Sequence, residues 1–215
     1  ITNKFFYRIF LGHTFGEENV GLYQLVFPVY ALGISFSCAG TELALSRCVA
    51  QENAAGHPEK AKELLKTGLI FTFVLSCILT IFLQHNAHMT AISFLHDSRC
   101  EELLILLSYT FPFASIHSCI CGYSLGLKQT KIPAVSQLFE QTFRILFVFL
   151  FCYYRTSHQL DLSISFAVVG LAMGEIFASC YCLYSIHHTA SKQVQNLLSA
   201  STFCIHLSRL FRSEE

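Results

Sequence analysis

Charge is scarce in this sequence. Asp, Glu, Lys and Arg make up 13% of its 215 residues, where soluble domains carry about 25%. Acidic and basic residues balance to a formal net charge of zero, so nothing in it suits a nucleic-acid partner. No GxxxxGK[ST] stretch occurs, which excludes a P-loop ATPase. No CxxC pair occurs, which removes the usual zinc spacing. No cleavable signal peptide is visible in the sequence as it stands, and no Ser/His/Asp or paired-carboxylate arrangement of the kind that carries catalysis. An enzyme is therefore the least expected class, and neither a cofactor nor a metal is expected.

What the chain has instead is apolar surface. Hydrophobic residues reach 53%, with 21 Phe, and the mean hydropathy is +0.50. A spanning helix needs about 20 mostly apolar residues. Five runs qualify: 21–40, continuing as helix to about Val49, then 64–83, 103–126, 132–154 and 164–186. A partial run covers 5–15, and a weaker one opens at Leu197. The expected fold is all-α, a polytopic membrane helix bundle. Pro28 and Pro112 lie inside apolar runs and should kink their helices. The chain opens "ITNKFFYRIFLGHTFG" without Met and closes "LSRLFRSEE" within another apolar pattern, so we expect both ends to be interior to a longer protein.

Lys and Arg in the connections set the expected orientation. Lys60, Lys62 and Lys66, Lys128 and Lys131, and Lys192 fall on one side; Arg99 and Arg155 fall on the other. The 51–66 and 126–131 loops and the tail are thus expected in the cytoplasm. Ten Cys might suggest disulfides, but Cys38, Cys77, Cys119, Cys121, Cys152, Cys180 and Cys182 all sit in apolar runs, where a thiol behaves as a small hydrophobe. His85 and His88 stand three residues apart without a carboxylate cluster in their loop. His117 is either a satisfied polar contact or a cavity group.

The informative residues are charges inside the spans. "LFEQTFRILFVFLF" (138–151) carries Glu140 and Arg144 four residues apart, about 13 and 19 Å along the helix from Lys131. Glu175 lies in "VVGLAMGEIFAS", Glu42 and Arg47 in the second span, and Lys4 and Arg8 in the first. Intramembrane charges face a bundle interior or a wet cavity. Arg8, Arg47, Glu140, Arg144 and Glu175 are therefore the candidate residues of a cavity for a charged substrate or ion. The plainer alternatives are a buried Glu140–Arg144 staple and an Arg47 that snorkels to the interface.

The stretch from "FFYRIF" to "ENAAG" resembles the N-terminal part of the stage V sporulation protein B and polysaccharide-biosynthesis flippase family, within the multidrug/oligosaccharidyl-lipid/polysaccharide exporter superfamily. The resemblance rests on Arg8 in the first helix, a connector with Gly16, Gly21, Tyr23 and Gln24, and "ALSRCVA" with Arg47. "LFEQTFR" (138–144) and "GLAMGE" (170–175) are similar to the fifth and sixth helices. It implies two six-helix lobes around a cavity that opens to either face in turn. Residues 1–190 would be the first lobe and residues 191–215 a cytoplasmic connector with the start of a seventh helix. It also implies an undecaprenyl-linked sugar pyrophosphate as substrate, a coupling cation and the C-terminal lobe as partners, and the bacterial cytoplasmic membrane as location. The competing readings are a cation-coupled multidrug antiporter and an inactive truncated membrane protein.

Overall fold

The computed structural model describes residue 12, residues 16–157 and residues 164–187, and all regular structure among them is helical. The expected runs at 5–15 (apart from residue 12) and from Leu197 lie outside the described residues. Two compact units divide the chain, Ile1–Cys182 and Leu183–Glu215; of the second only residues 183–187 are described.

Helix α1, Glu17–Ile34, starts after Gly16, whose φ of 80° suits a residue without Cβ. It runs through a π-helical turn, Ser35–Ala39, into α2, Gly40–Ala54. Gly56, with φ 79°, turns the chain, and Pro58 opens α3, Pro58–His85, at a position where its missing N–H costs nothing. A short turn α4, Ala87–Met89, and a second π-helical turn, Thr90–Phe94, lead to α5, Cys100–Ser108. Helices α6, Thr110–Gly126, α7, Lys131–Ser157, and α8, Ser165–His187, complete the bundle. Glu18–Ala54, Pro58–His85, Lys131–Tyr154 and Ser165–His187 are each long and apolar enough to span a membrane, and α5 and α6, bent by 42°, pass the same test taken together. It is an all-α polytopic membrane bundle.

Its outer face, unlike that of a water-soluble protein, is as apolar as its core. On α3 the buried side holds Ala61, Leu65, Gly68, Thr72, Ser76, Thr80 and Leu83, a stripe repeating every three or four residues. The opposite side presents Ile70, Phe71, Ile78, Ile81 and Phe82, all exposed. Small and hydroxylated residues let helices approach and bond in lipid, while the bulky apolar ones meet acyl chains. Ser76 Oγ donates to Ser115 Oγ at 3.2 Å, and Gln84 Nε2 to Ser108 Oγ at 3.1 Å.

The bend between α5 and α6 has a chemical cause. Pro112 supplies no N–H to the carbonyl four residues back, that of Ser108. Thr80 Oγ1 on α3 donates to that oxygen instead, at 3.1 Å. Pro112 thus kinks its span as expected, and a neighbouring helix satisfies the released acceptor.

Two glycine pairs at four-residue spacing set the closest helix contacts. A Cβ on Gly122 would lie 2.7 Å from the Glu42 carbonyl oxygen, which seats α6 on α2. A Cβ on Gly174 would lie 2.8 Å from the Glu140 carbonyl oxygen, which seats α8 on α7. Such contacts are open only to glycine.

At the end of the bundle that holds the start of α1, Arg99 Nη1 donates to Glu18 Oε1 at 2.7 Å, and its Nη2 to Asp97 Oδ2 at 3.1 Å. Bonds from the side chain and backbone N–H of Arg99 hold the exposed Asp97 carboxyl below the usual carboxylate range. Gly126 abuts Ser46 and Val49, so the turns after α2 and α6 share the other end. Cysteines substituted for Lys62 and Ser98 should accordingly be labelled from opposite sides, Lys62→Cys only after the membrane is permeabilised. Labelling of both from outside intact cells would refute the orientation drawn from the lysines.

Candidate functional site

A cavity of about 760 Å³ opens among α1, α2, α6, α7 and α8. Its apolar wall includes Phe27, Ile34 and Leu125; its polar wall includes Glu42, His117, Gln137, Glu140, Gln141, Arg144 and Glu175. Each polar group is placed by a helix with no other way to hide it. On α7 the four-residue spacing puts Glu140 and Arg144 on one face, and Arg144 Nη2 donates to Glu140 Oε1. Both side chains are 12% exposed. Even low insertion scales charge about 2.5–3.5 kcal/mol for one such residue at a helix centre in lipid, so the interior face is the favoured one. Pairing does not exhaust Arg144: its buried Nε has no hydrogen-bond partner among the described residues.

Glu175, on α8, is 6% exposed. Tyr30 OH donates to its Oε1 at 3.1 Å, and His117 Nδ1 lies 3.1 Å from its Oε2. The other ring nitrogen of His117, Nε2, lies 3.0 Å from Ser136 Oγ. That hydroxyl is also 2.9 Å from the Pro133 carbonyl, so it either donates there and accepts from Nε2–H or donates to a bare Nε2. Across the cavity Ser118 Oγ donates to Glu42 Oε2 at 2.6 Å. Aromatic stacking braces the α7–α8 side: Phe143 lies on Phe177 with centroids 4.0 Å apart, and Phe139 on Tyr181 at 4.8 Å.

The cavity wall carries charged side chains of both signs. Arg144 brings a guanidinium to the wall, and Glu42, Glu140 and Glu175 bring carboxylates. One ligand atom each from His117, Glu140 and Glu175 lies within 4.8 Å of the others, close enough to share one ion.

Of the residues singled out in the sequence, Glu140, Arg144 and Glu175 line this cavity together. Arg8 lies outside the described residues. Arg47 is exposed and does not line the cavity. Glu42 does, and a residue five positions on is turned about 140° around the helix. His117 is a cavity group bonded on both nitrogens. Tyr30 and Ser118 escaped the sequence reading, since a Tyr or Ser in an apolar run carries no signal of its partner. All nine described cysteines are free thiols.

Comparison with known proteins gives a consistent set of relatives. A family model described as polysaccharide biosynthesis protein matches residues 2–211. Stage V sporulation protein B of Bacillus subtilis is 29% identical over 174 residues, 81% of this chain and 34% of that protein. Sporulation protein YkvU of the same organism is 21% identical over 182 residues, 85% of this chain and 39% of its own length. The B. subtilis lipid II flippase MurJ is 27% identical over 141 residues, 62% of this chain and 26% of that protein. The chain thus spans about a third of the length of the curated relatives it matches. No solved structure matches it.

Proposed function

Because the chain belongs to the polysaccharide biosynthesis protein family, we propose that it forms one lobe of a flippase, moving a lipid-linked sugar pyrophosphate across the membrane by alternating access. It is a multi-pass protein of the cell membrane, and one of its relatives, MurJ, is a lipid II flippase. The observation that carries the proposal is Arg144: a guanidinium on the cavity wall deep in the bundle, paired with Glu140 on one side. A pyrophosphate would accept from it while its sugar met Gln137, Gln141 and Glu42. Arg8 is proposed to add a second cation. Arg47, exposed near the end of its helix, fits an interfacial role better. Alternating access needs a second lobe across the cavity, and residues 1–190 would supply only the first.

The cluster of His117, Glu140 and Glu175 suits a coupling cation or proton. It also favours the second reading, a cation-coupled multidrug antiporter, because Glu42, Glu140 and Glu175 outnumber Arg144 among the described lining residues. Binding by the complete purified protein separates the two. The flippase reading expects a short-chain polyprenyl pyrophosphate to bind in the micromolar range or tighter and a lipophilic phosphonium cation to bind at least about tenfold more weakly, a difference of about 1.4 kcal/mol. The reverse order would establish the antiporter.

A further inference from the structure

Two cysteines that look like isolated apolar residues in the sequence meet inside the bundle. His117 and Cys121 stand one turn apart on α6, and Cys182 comes from α8. One donor atom of each lies within 4.8 Å of the other two. We propose that His117 Nε2, Cys121 Sγ and Cys182 Sγ form a binding site for a thiophilic d¹⁰ cation, Zn(II) being the type case.

The donor set is the first argument. Two thiolates and an imidazole select Zn(II) or Cu(I) over the hard ions Mg(II) and Ca(II). Three protein ligands with a fourth position left open make a recognised zinc arrangement. Zn–S bonds of about 2.3 Å put tetrahedral sulfurs about 3.8 Å apart, so the donors need to close by no more than about 1 Å.

The second argument is orientation. His117 Nδ1 points to Glu175 Oε2 at 3.1 Å, and Tyr30 OH holds the other oxygen of that carboxylate. A carboxylate on one ring nitrogen fixes the tautomer that presents the other nitrogen's lone pair to a metal. Nε2 faces the Ser136 hydroxyl at 3.0 Å, and Cys121 Sγ lies 3.7 Å from the same oxygen. Three elements therefore converge on one point. That hydroxyl, or a water from the cavity, would fill the fourth position, with the Ser136 proton directed to the Pro133 carbonyl at 2.9 Å.

The third argument is access. Cys182 is fully enclosed, but His117 and Cys121 line the cavity, which gives the ion a route in. On binding, both thiols release their protons to cavity water. The two thiolates then neutralise a divalent ion, so the filled site adds no net charge to the bundle. A thiol that served only as a small hydrophobe would have no need of an imidazole steered by a buried carboxylate.

Titration of the complete, reduced, detergent-solubilised protein tests this, with Zn(II) as ligand and Co(II) as optical reporter. One equivalent should bind, with thiolate-to-cobalt charge-transfer absorption that Zn(II) abolishes. Cys121→Ser and Cys182→Ser should each lose the band and weaken Zn(II) binding at least tenfold, while Cys48→Ser, at an exposed position of α2, changes neither. Should the serine variants misfold, wild-type protein still decides: Zn(II) should block maleimide labelling of Cys121 and leave Cys48 reactive. Absence of the band, its survival in both variants, labelling of Cys121 indifferent to Zn(II), or isolation of a metal-free Cys121–Cys182 disulfide would each overturn the proposal.

Discussion

Arg144→Ala in the complete protein is expected to abolish complementation of a flippase-deficient strain while membrane insertion stays normal. The side chain is 12% exposed and lies on a cavity wall. Hydrogen bonds to a charged group contribute about 1.5–3 kcal/mol each, so loss of one or two bonds to a pyrophosphate lowers substrate affinity by about tenfold to a thousandfold or more. Arg144→Lys keeps the charge but not the planar fork and should recover only part of the activity. A structural staple makes a different forecast. Replacing a buried ion pair by apolar residues of similar size is often neutral or stabilising. If Glu140 and Arg144 only hold α7 in place, the double variant Glu140→Leu, Arg144→Met should transport. If Arg144 binds substrate, that variant should fold, insert and fail. Normal transport by Arg144→Ala would end the cavity reading of this helix.

Gly174→Val is expected to produce the largest loss of stability. Its first added carbon would sit 2.8 Å from the Glu140 carbonyl oxygen and 3.4 Å from Arg144 Cβ. The oxygen belongs to helical backbone and cannot step aside, so α7 and α8 must part. Overpacking of this kind costs about 1–3 kcal/mol, and about 2–4 °C of Tm follows each kcal/mol in a chain of this size. Gly21→Ala makes the control. Nothing lies within 4 Å of a Cβ there, so helix propensity alone acts and the change should be neutral or stabilising by up to about 1 kcal/mol. The two variants are compared by thermal unfolding in one detergent. A Gly174→Val protein that melts with wild type would show that the α7–α8 seam tolerates side chains. Because Glu140 and Arg144 lie on that seam, a parted seam should also impair transport.

Much of this architecture is legible in the residue order, and the limits of legibility are physical. Runs of about 20 apolar residues announce the spans: 64–83 falls inside Pro58–His85, and 164–186 matches Ser165–His187 to within one residue at each end. Glu140 and Arg144 announce themselves because two charges one turn apart in lipid have only one affordable face. Glu175 stands out for the same reason, but its partners do not: Tyr30 is 145 positions away and His117 is 58. Local spacing carries no record of which helices become neighbours. Cys121 and Cys182 escape on the same ground, each inconspicuous until α6 and α8 are set side by side. The polar stripe Thr72, Ser76, Thr80 on α3 was readable in principle, yet a hydropathy window averages both faces and erases it. Nor does any residue type signal the π-helical turn at Ser35–Ala39.

That turn makes the span formed by α1 and α2 a matter of phase. A π-helical turn accommodates an inserted residue, and each residue advances an α-helix by about 100°. Everything beyond Ala39 is thus rotated against everything before it, compared with an unbroken helix. Tyr30 and Glu42 belong to the two sides of that offset, and both face the cavity. In a single regular helix their separation of twelve residues would place them about 120° apart. The extra turn works like a half-step in a spiral stair, bringing two landings to the same door. Residue number within 35–39, more than residue identity, is therefore what this span must preserve. Natural variants are expected to gain or lose residues there almost never, and to keep small side chains at the buried Ser37 and Cys38.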